Sequence, residues 1–233
     1  MLVTNSLLSP IFSQKPLHIF CDFDGTISLN DTTDQLLHQF AQHGWVEIEQ
    51  QWQHGLIGSK LCMKKQVELL NMSIEELHHC LDQLELDLTF LDLVQFCNSH
   101  QIPLTIVSDG LDQVIYYLLK RYQLEYLPVI ANRLIQISSR QWTLEFPYEN
   151  PRCLYQSGTC KCQQAAQQLH QNIILIGDGR SDFCLAGNAH YVFAKKSLIQ
   201  HCEQQGISFQ PIYTLGDAVH YLENFVLSGT VTS

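Results

Sequence analysis

Positive charge is scarce in this chain: 13 Lys and Arg stand against 23 Asp and Glu among 233 residues, a net charge of −10 with His neutral. A surface of that sign repels phosphate backbones and anionic lipid heads, which excludes nucleic acid and membrane surfaces as general partners. It does not exclude a small phosphorylated ligand, because a metal ion or a Lys reverses the field inside a pocket. Charged residues make up only 15% of the chain and hydrophobic ones 45%, so the composition is globular and not disordered. No apolar run approaches the roughly 20 residues that a membrane-spanning helix needs. The opening MLVTNSLLSPIFSQKP has no basic residue ahead of its apolar stretch, and Asn5, Ser6, Ser9 and Pro10 interrupt it, so no signal peptide is read. Repeats and low-complexity tracts are also missing. Nor is there an even-numbered cysteine framework. The nine cysteines are scattered, and some, such as Cys97 in LVQFC, lie in apolar runs where a thiol behaves as a small buried hydrophobe. That usage suits a reducing compartment, and the expectation is a cytoplasmic protein, monomer or homodimer. A chain of this length buries roughly 70% of the surface its unfolded form exposes, enough to fold without disulfides.

What is present is a set of short apolar runs that end in similar polar punctuation. LHIFC (17–21) runs into Asp22, PLTIV (103–107) into Ser108-Asp109-Gly110, and NIILI (172–176) into Gly177-Asp178-Gly179; HYVFA (190–194) is a fourth run. Each is about five residues long and bounded by turn residues, as fully buried strands of a parallel sheet are. Helical patterns separate them, which predicts a doubly wound α/β sheet with its ligand site beyond the carboxyl ends of the strands. Between the first two runs the chain is helical throughout. Asn30 or Asp31 can cap TTDQLLHQFAQ, Gly58-Ser59 precede KLCMKKQVELL, and Ser73 with Glu76 fits a capping box. One crossover needs one helix, so the surplus is read as a small helical insert over roughly 30–85, with a helix around 87–100 returning to the core. VIANRLIQI and RQWTLEF (within 129–150) are expected to pair at the sheet edge, and QQAAQQLHQ (163–171) to form a solvated helix face.

Asp22-Phe23-Asp24-Gly25-Thr26 places two carboxylates two residues apart at a strand end. One ionised Asp can attack phosphorus, while a second carries the proton for a leaving alkoxide and then activates water. Gly25 permits a tight turn, and Thr26 offers a hydroxyl and an N–H. Asp178 and Asp182 add two carboxylates at a loop-to-helix junction, and several hard oxygen donors together suit Mg²⁺. Ser108 can donate to a phosphate oxygen beside the N–H groups of Asp109 and Gly110. Lys161 supplies the cation that so many carboxylates and a phosphate dianion require.

The segments CDFDGTISLND, IVSDG, GTCK and GDGRSD, in that order, resemble the four successive motifs of the haloacid dehalogenase-like (HAD) phosphohydrolase superfamily. The resemblance implies a Rossmann-like α/β core over 1–29 and 86–233, with a helical C1-type cap at 30–85. It implies Asp22 as the nucleophile forming an aspartyl-phosphate, Asp24 as general acid/base, and Ser108 and Lys161 as holders of the phosphoryl group. Mg²⁺ would then be bound by Asp22, the Asp24 carbonyl and Asp178, with Asp182 in or next to the shell. Thr26, Asp31, Asp109, Gly110 and Ser181 would contact a small phosphorylated metabolite. Within the superfamily the chain is most similar to the phosphoserine-phosphatase-like branch. It is more similar still to the enol-phosphate phosphatases of methionine salvage, through Asp22–Ile27, Asn30-Asp31 and the cysteines Cys153, Cys160 and Cys162 before the motif Lys. Against phosphoserine itself, Asp31 stands where that branch has a Glu, and Gln66, beside Lys65, stands near its carboxylate-binding Arg. Gln has no guanidinium fork.

Other readings remain beside this one. A phosphotransferase or mutase would share the aspartyl-phosphate. A catalytically silent binding protein would have lost the acid/base carboxylate, and Asp24 is present. A carbon–halogen hydrolase needs neither the second Asp nor the metal. Cys153, Cys160 and Cys162 with His170 could hold zinc, but C-x-C matches structural zinc spacing poorly, and free thiols are expected. Trp45 and Trp52 lie seven apart on one helical stripe, as packing residues or as a substrate platform. Asp31 is open between helix cap and substrate contact. Lys60, Lys64, Lys65, His78 and His79 are read as solvated.

Overall fold

The computed structural model describes residues 15–229, with side chains through 225. The expected doubly wound sheet is there. β1 (Leu17–Cys21) is buried at every position, because its sequence carries no polar alternation and both faces must be covered. Around it lie β2 (Leu104–Leu111), β3 (Val129–Gln136), β4 (Trp142–Glu145), β5 (Asn172–Gly177), β6 (Tyr191–Ala194) and β7 (Gln210–Pro211). Their order across the sheet is β4-β3-β2-β1-β5-β6-β7. All neighbours are parallel except β3 and β4, which pair antiparallel at the edge as VIANRLIQI and RQWTLEF suggested. Strand order reverses at β1, so the carboxyl ends of β1, β2 and β5 open onto one crevice. β7 was not foreseen; two residues carry no periodic signal.

Two local expectations need correction. Ser108, Asp109 and Gly110 are not a turn. β2 continues through them to Leu111, and its register against β3 shifts between Val107 and Leu111. The cause is polar: Asn132 of β3 donates to the Asp109 carbonyl and carboxylate, holding the segment extended. The Gln-rich segment is helical only as α7 (Lys161–Ala166, numbered in the order below), and Gln164 faces inward. Beyond it, successive turns bring the chain to β5.

Four helices lie between β1 and the returning helix: α1 (Thr32–Phe40), α2 (Trp45–Gln53), α3 (Ser59–Val67) and α4 (Ile74–Asp82). They are followed by α5 (Phe90–Ser99) and, after β2, α6 (Asp112–Lys120). The chain leaves and re-enters the sheet layer side by side, at a bridge between Ser28 and Leu86. Asp31 caps α1 by accepting from the Asp34 N–H at 3.0 Å, and Ser73 and Glu76 form the expected capping box of α4. After α7 come a 3₁₀ turn (Arg180–Asp182), α8 (Phe183–Ala186), α9 (Lys196–Gln205) and α10 (Leu215–Gly229). No helix among the described residues is long and apolar enough to cross a membrane.

The helical insert has two unlike halves. Leu36 and Leu37 of α1, and Leu77 and Leu81 of α4, are buried in the same apolar core as the sheet. Polar contacts reinforce that docking. The buried Trp142 of β4 donates its indole N–H to the Met72 carbonyl at 2.9 Å, and Arg121 reaches the Leu81 and Leu84 carbonyls at 2.9 and 2.8 Å. α2, by contrast, buries no residue fully. Trp142→Phe removes the indole donor, leaves a buried carbonyl short of a partner and shrinks a fully buried ring. It should lower the unfolding free energy by about 1–3 kcal/mol in urea titration; unchanged stability would mean that the bond contributes nothing.

Candidate active site

Asp22 follows the last residue of β1, and its N–H is fixed to the Ile176 carbonyl of β5 at 2.9 Å. Its carboxyl is buried, and desolvation pushes its pKa well up against the pull of Lys161. The chain then turns sharply at Gly25, where φ is +70°, and a Cβ there would lie 2.3 Å from Asp178 Oδ2. Only glycine serves both demands. The turn aims Asp24 back toward β2. Its Oδ1 accepts from the Thr32 N–H and hydroxyl at 2.8 and 2.6 Å, and its Oδ2 lies beside Gly110, where a Cβ would approach to 2.3 Å. Burial first, and then the neighbouring Asp31 charge, push the Asp24 carboxyl up to about 7.

Lys161, the first residue of α7, is only 1% exposed and lies between two carboxylates, 2.5 Å from Asp22 Oδ1 and 2.7 Å from Asp182 Oδ1. Burial alone would lower its pKa. Asp182 and then Asp22 outweigh that and raise it, so the ammonium stays charged. Asp182 is fully buried, and its Oδ2 accepts from the Asp178 and Gly179 N–H groups at 3.1 and 3.2 Å. Gly177 is small for the same reason, since a Cβ there would meet that carboxylate at 2.4 Å. Asp178, raised by desolvation and by Asp182, binds Lys196 at 3.0 Å.

Asp22, Asp178 and Asp182 offer carboxylate oxygens that lie within 4.8 Å of one another, and among the described residues this is the one cluster of metal-ligating type. Hard oxygen donors at that separation, beside a turn that glycine keeps open, fit a divalent cation such as Mg²⁺. Both Asp182 oxygens are already engaged, one by Lys161 and one by backbone donors. The donor set therefore has Asp22 and Asp178 at its centre, with Asp182 as its brace.

The remaining expected site residues divide by position. Ser108 accepts from the Gly110 N–H at 2.9 Å through Oγ, leaving its own proton to donate into the pocket. Asp31, Asp109, Gly110 and Ser181 also line that pocket. The Asp109 carboxylate, however, is fully occupied by protein. Thr159 N–H and Asn132 meet Oδ1 at 2.8 and 3.1 Å, and the Ser59 hydroxyl meets Oδ2 at 2.5 Å. Thr26 is buried outside the pocket lining, its hydroxyl without a partner and its carbonyl bonded to Lys195. Asp31 does cap α1 while lining the pocket. Its carboxyl, crowded by neighbouring chain although the residue keeps an exposed edge, is pushed up to about 6 by desolvation and then by Asp34.

The cavity holds about 330 Å³. Its outer wall comes from the insert, with Asp34, Glu49, Gln66, Met63 and Trp52 facing it. Gln66 is buried and donates to Glu49 at 3.0 Å. Trp52 stands under the Arg180 guanidinium at 5.2 Å, and Arg180 also donates to the Trp52 carbonyl at 3.0 Å. Trp45 instead packs inward against His38. Of the lysines, Lys60 pairs with Glu149 while Lys64 and Lys65 are exposed; His78 stacks on Tyr117, and His79 is exposed. Sequence reasoning missed Thr32, Asn132, Ser59, Arg180 and Lys196. Only Arg180 lay in a motif that could have pointed to it.

The haloacid dehalogenase-like hydrolase model matches residues 19–187. The chain belongs to that family. It is an enzyme of this hydrolase family, of the phosphatase kind. A HAD relative from Lysinibacillus sphaericus, 2-hydroxy-3-keto-5-methylthiopentenyl-1-phosphate phosphatase, is 30% identical over 91% of this chain and 96% of its own length. Pdp3-interacting factor 1 of Schizosaccharomyces pombe is 27% identical over 92% and 98%. Among solved structures, a phospho-aspartyl intermediate analogue of phosphoserine phosphatase superposes with a TM-score of 0.66 at 18% identity, covering 89% of this chain and 99% of the other. That likeness confirms the HAD fold.

The raised carboxyl pKa of Asp24 carries a stability consequence with a definite sign. Its folded-state pKa of about 7 lies above the unfolded value of about 3.9. The folded state therefore holds the proton more tightly, and stability present at low pH is lost as pH rises through that window. In metal-free protein, Asp24→Asn should therefore gain melting temperature over the parent chain, more at pH 8 than at pH 5. An equal difference at both values would contradict it.

Proposed function

We propose that the protein is a Mg²⁺-dependent phosphomonoesterase that hydrolyses a small phosphorylated metabolite through an aspartyl-phosphate on Asp22. The observation that carries this reading is the pairing of a buried, Lys161-bound Asp22 with a second, half-buried carboxyl, Asp24, pushed up to about 7, where it can both give and take a proton near neutrality. An Asp22 oxygen forms the bond to phosphorus as the ester P–O bond breaks, and the leaving alkoxide takes its proton from Asp24. Water then attacks the phosphorus and gives its proton to Asp24, which frees phosphate and Asp22. Lys161 and Ser108 hold the phosphoryl oxygens, with backbone N–H groups at the end of β2 beside them. Asp22, Asp178 and the Asp24 carbonyl would hold Mg²⁺, with Asp182 alongside; when bound, the ion supplies positive charge to the phosphoryl oxygens. Residues 30–85 act as a cap domain that excludes water and contacts the rest of the substrate, over a core formed by 1–29 and 86–233.

The enol-phosphate in the name of the Lysinibacillus relative is the first substrate to test. Gln66, held by Glu49, supports it over phosphoserine, because a substrate carboxylate would meet an amide and a carboxylate in place of a guanidinium fork.

Phosphate release should be measured on a panel of the enol-phosphate, phosphoserine, sugar phosphates, phosphocholine and nucleotides, with and without Mg²⁺. Turnover should require the metal and favour the enol-phosphate. Asp22→Asn should fall to the uncatalysed background, and Asp24→Asn should lose about 10²–10⁴-fold in kcat. Wild-type rates in Asp22→Asn would overturn the covalent route.

A further inference from the structure

α2 buries no residue fully, yet it supplies two residues of the pocket wall, Glu49 and Trp52. At its start Trp45 packs against the main core. At its end the attachment is polar and comes from one side chain. Arg180 donates through Nη1 to the Trp52 carbonyl at 3.0 Å and to the Gln53 carbonyl at 3.5 Å. Its guanidinium lies 5.2 Å from the centre of the Trp52 ring. A Cβ on Gly55, in the turn beyond α2, would come within 3.9 Å of Nη2. The planar group is spread over the final turn of the helix.

That place suits an arginine. The last carbonyls of a helix have no partner within it and form its negative end, so a cation there is both donor and counter-charge. A guanidinium also stacks on an aromatic face. Among the described residues, these are the only hydrogen bonds between α2 and the chain outside the insert. Ser59, Lys60 and Glu76, which bond to Asp109, Glu149 and Arg140, belong to α3 and α4.

Arg180 opens the 3₁₀ turn that ends at Asp182, and it lies two residues beyond Asp178. One short loop therefore holds a carboxylate of the proposed ion site, the brace of Lys161 and the attachment of α2. We infer that Arg180 is a positioning residue that fastens α2 to this loop and holds Trp52 and Glu49 at a fixed height over the phosphoryl centre. Gln66 follows, because Glu49 is its acceptor. A phosphoryl group meets Lys161 and Ser108 with α2 seated or not, but the rest of a substrate meets a formed wall only when it is seated. Loss of Arg180 therefore weakens substrate binding more than it slows the chemical step. This consequence rests on the phosphatase reading; the attachment of α2 does not.

Hydrogen exchange and kinetics should be measured on the full chain and on its Arg180→Ala and Arg180→Lys variants. The amides of His54, Gly55 and Leu56 bond back to the Gln50, Trp52 and Gln51 carbonyls, so exchange in a peptide spanning 45–56 reports the seating of α2. In Arg180→Ala that peptide should exchange about 10-fold faster, the size of a lost charge-assisted hydrogen bond, while β1 and β5 keep their protection. Arg180→Lys, which keeps the charge without the fork, should fall between. With Mg²⁺ and the best substrate of the panel, Arg180→Ala should raise KM by about 10-fold and lower kcat by less than that. Unchanged exchange over 45–56, faster exchange across the whole sheet, or a fall in kcat that exceeds the rise in KM would overturn the inference. A parent chain that turns over no compound of the panel would instead count against the phosphatase reading, and the exchange data would still decide how α2 is held.

Discussion

The ion pair that Lys161 makes with Asp22 and Asp182 is the constraint around which the rest of the site is built. Three carboxylates within 4.8 Å of one another would repel strongly in a buried pocket, and each would lose its hydration. One buried ammonium offsets two of them. The third, Asp178, lies nearer solvent and has Lys196. These contacts explain several residues that look incidental in isolation. Gly25 and Gly177 leave room for carboxylates, and α7 starts where its first side chain can point into the crevice. The Asp178 and Gly179 N–H groups tie the β5 loop to the same centre. The same cluster of charge links β1, the β5 loop and α7 at one point.

Much of this was legible before any coordinates. Strand ends could be read because buried parallel strands are short and apolar, so the first polar residue after each one marks the crevice. Asp22, Asp24, Ser108 and Asp178 were found in that way, and Lys161 by the charge argument. What stayed hidden depends on contacts between distant segments. Asp109 was expected to offer its N–H to substrate and it does line the pocket, but that its carboxylate is taken up by Ser59, Asn132 and Thr159, from three other places in the chain, could not be read. Thr26 follows the same motif logic and is buried outside the pocket lining. No local pattern distinguishes an Asp that meets ligand from one that meets protein.

The helical insert illustrates a similar limit. Its existence followed from surplus helical periodicity, and its caps at Asp31 and Ser73 could be named. That α1 and α4 share the main core while α2 stays half exposed could not be read, because apolar residues occur in all four helices. The distinction arises from Trp142, Arg121 and the β3–β4 hairpin, which grip one side of the insert only.

The Asp109 strut limits how freely this pocket can diverge. Its carboxylate joins the insert, through Ser59, to the strand end that carries Ser108, so a change at position 59 alters the chemical centre along with the wall above it. Met63 and Glu49 face the same cavity from the insert with no bond to the β2 end among their contacts. A change at Met63 therefore reshapes the wall alone and one at Glu49 acts through Gln66, whereas position 59 is held by two tasks at once.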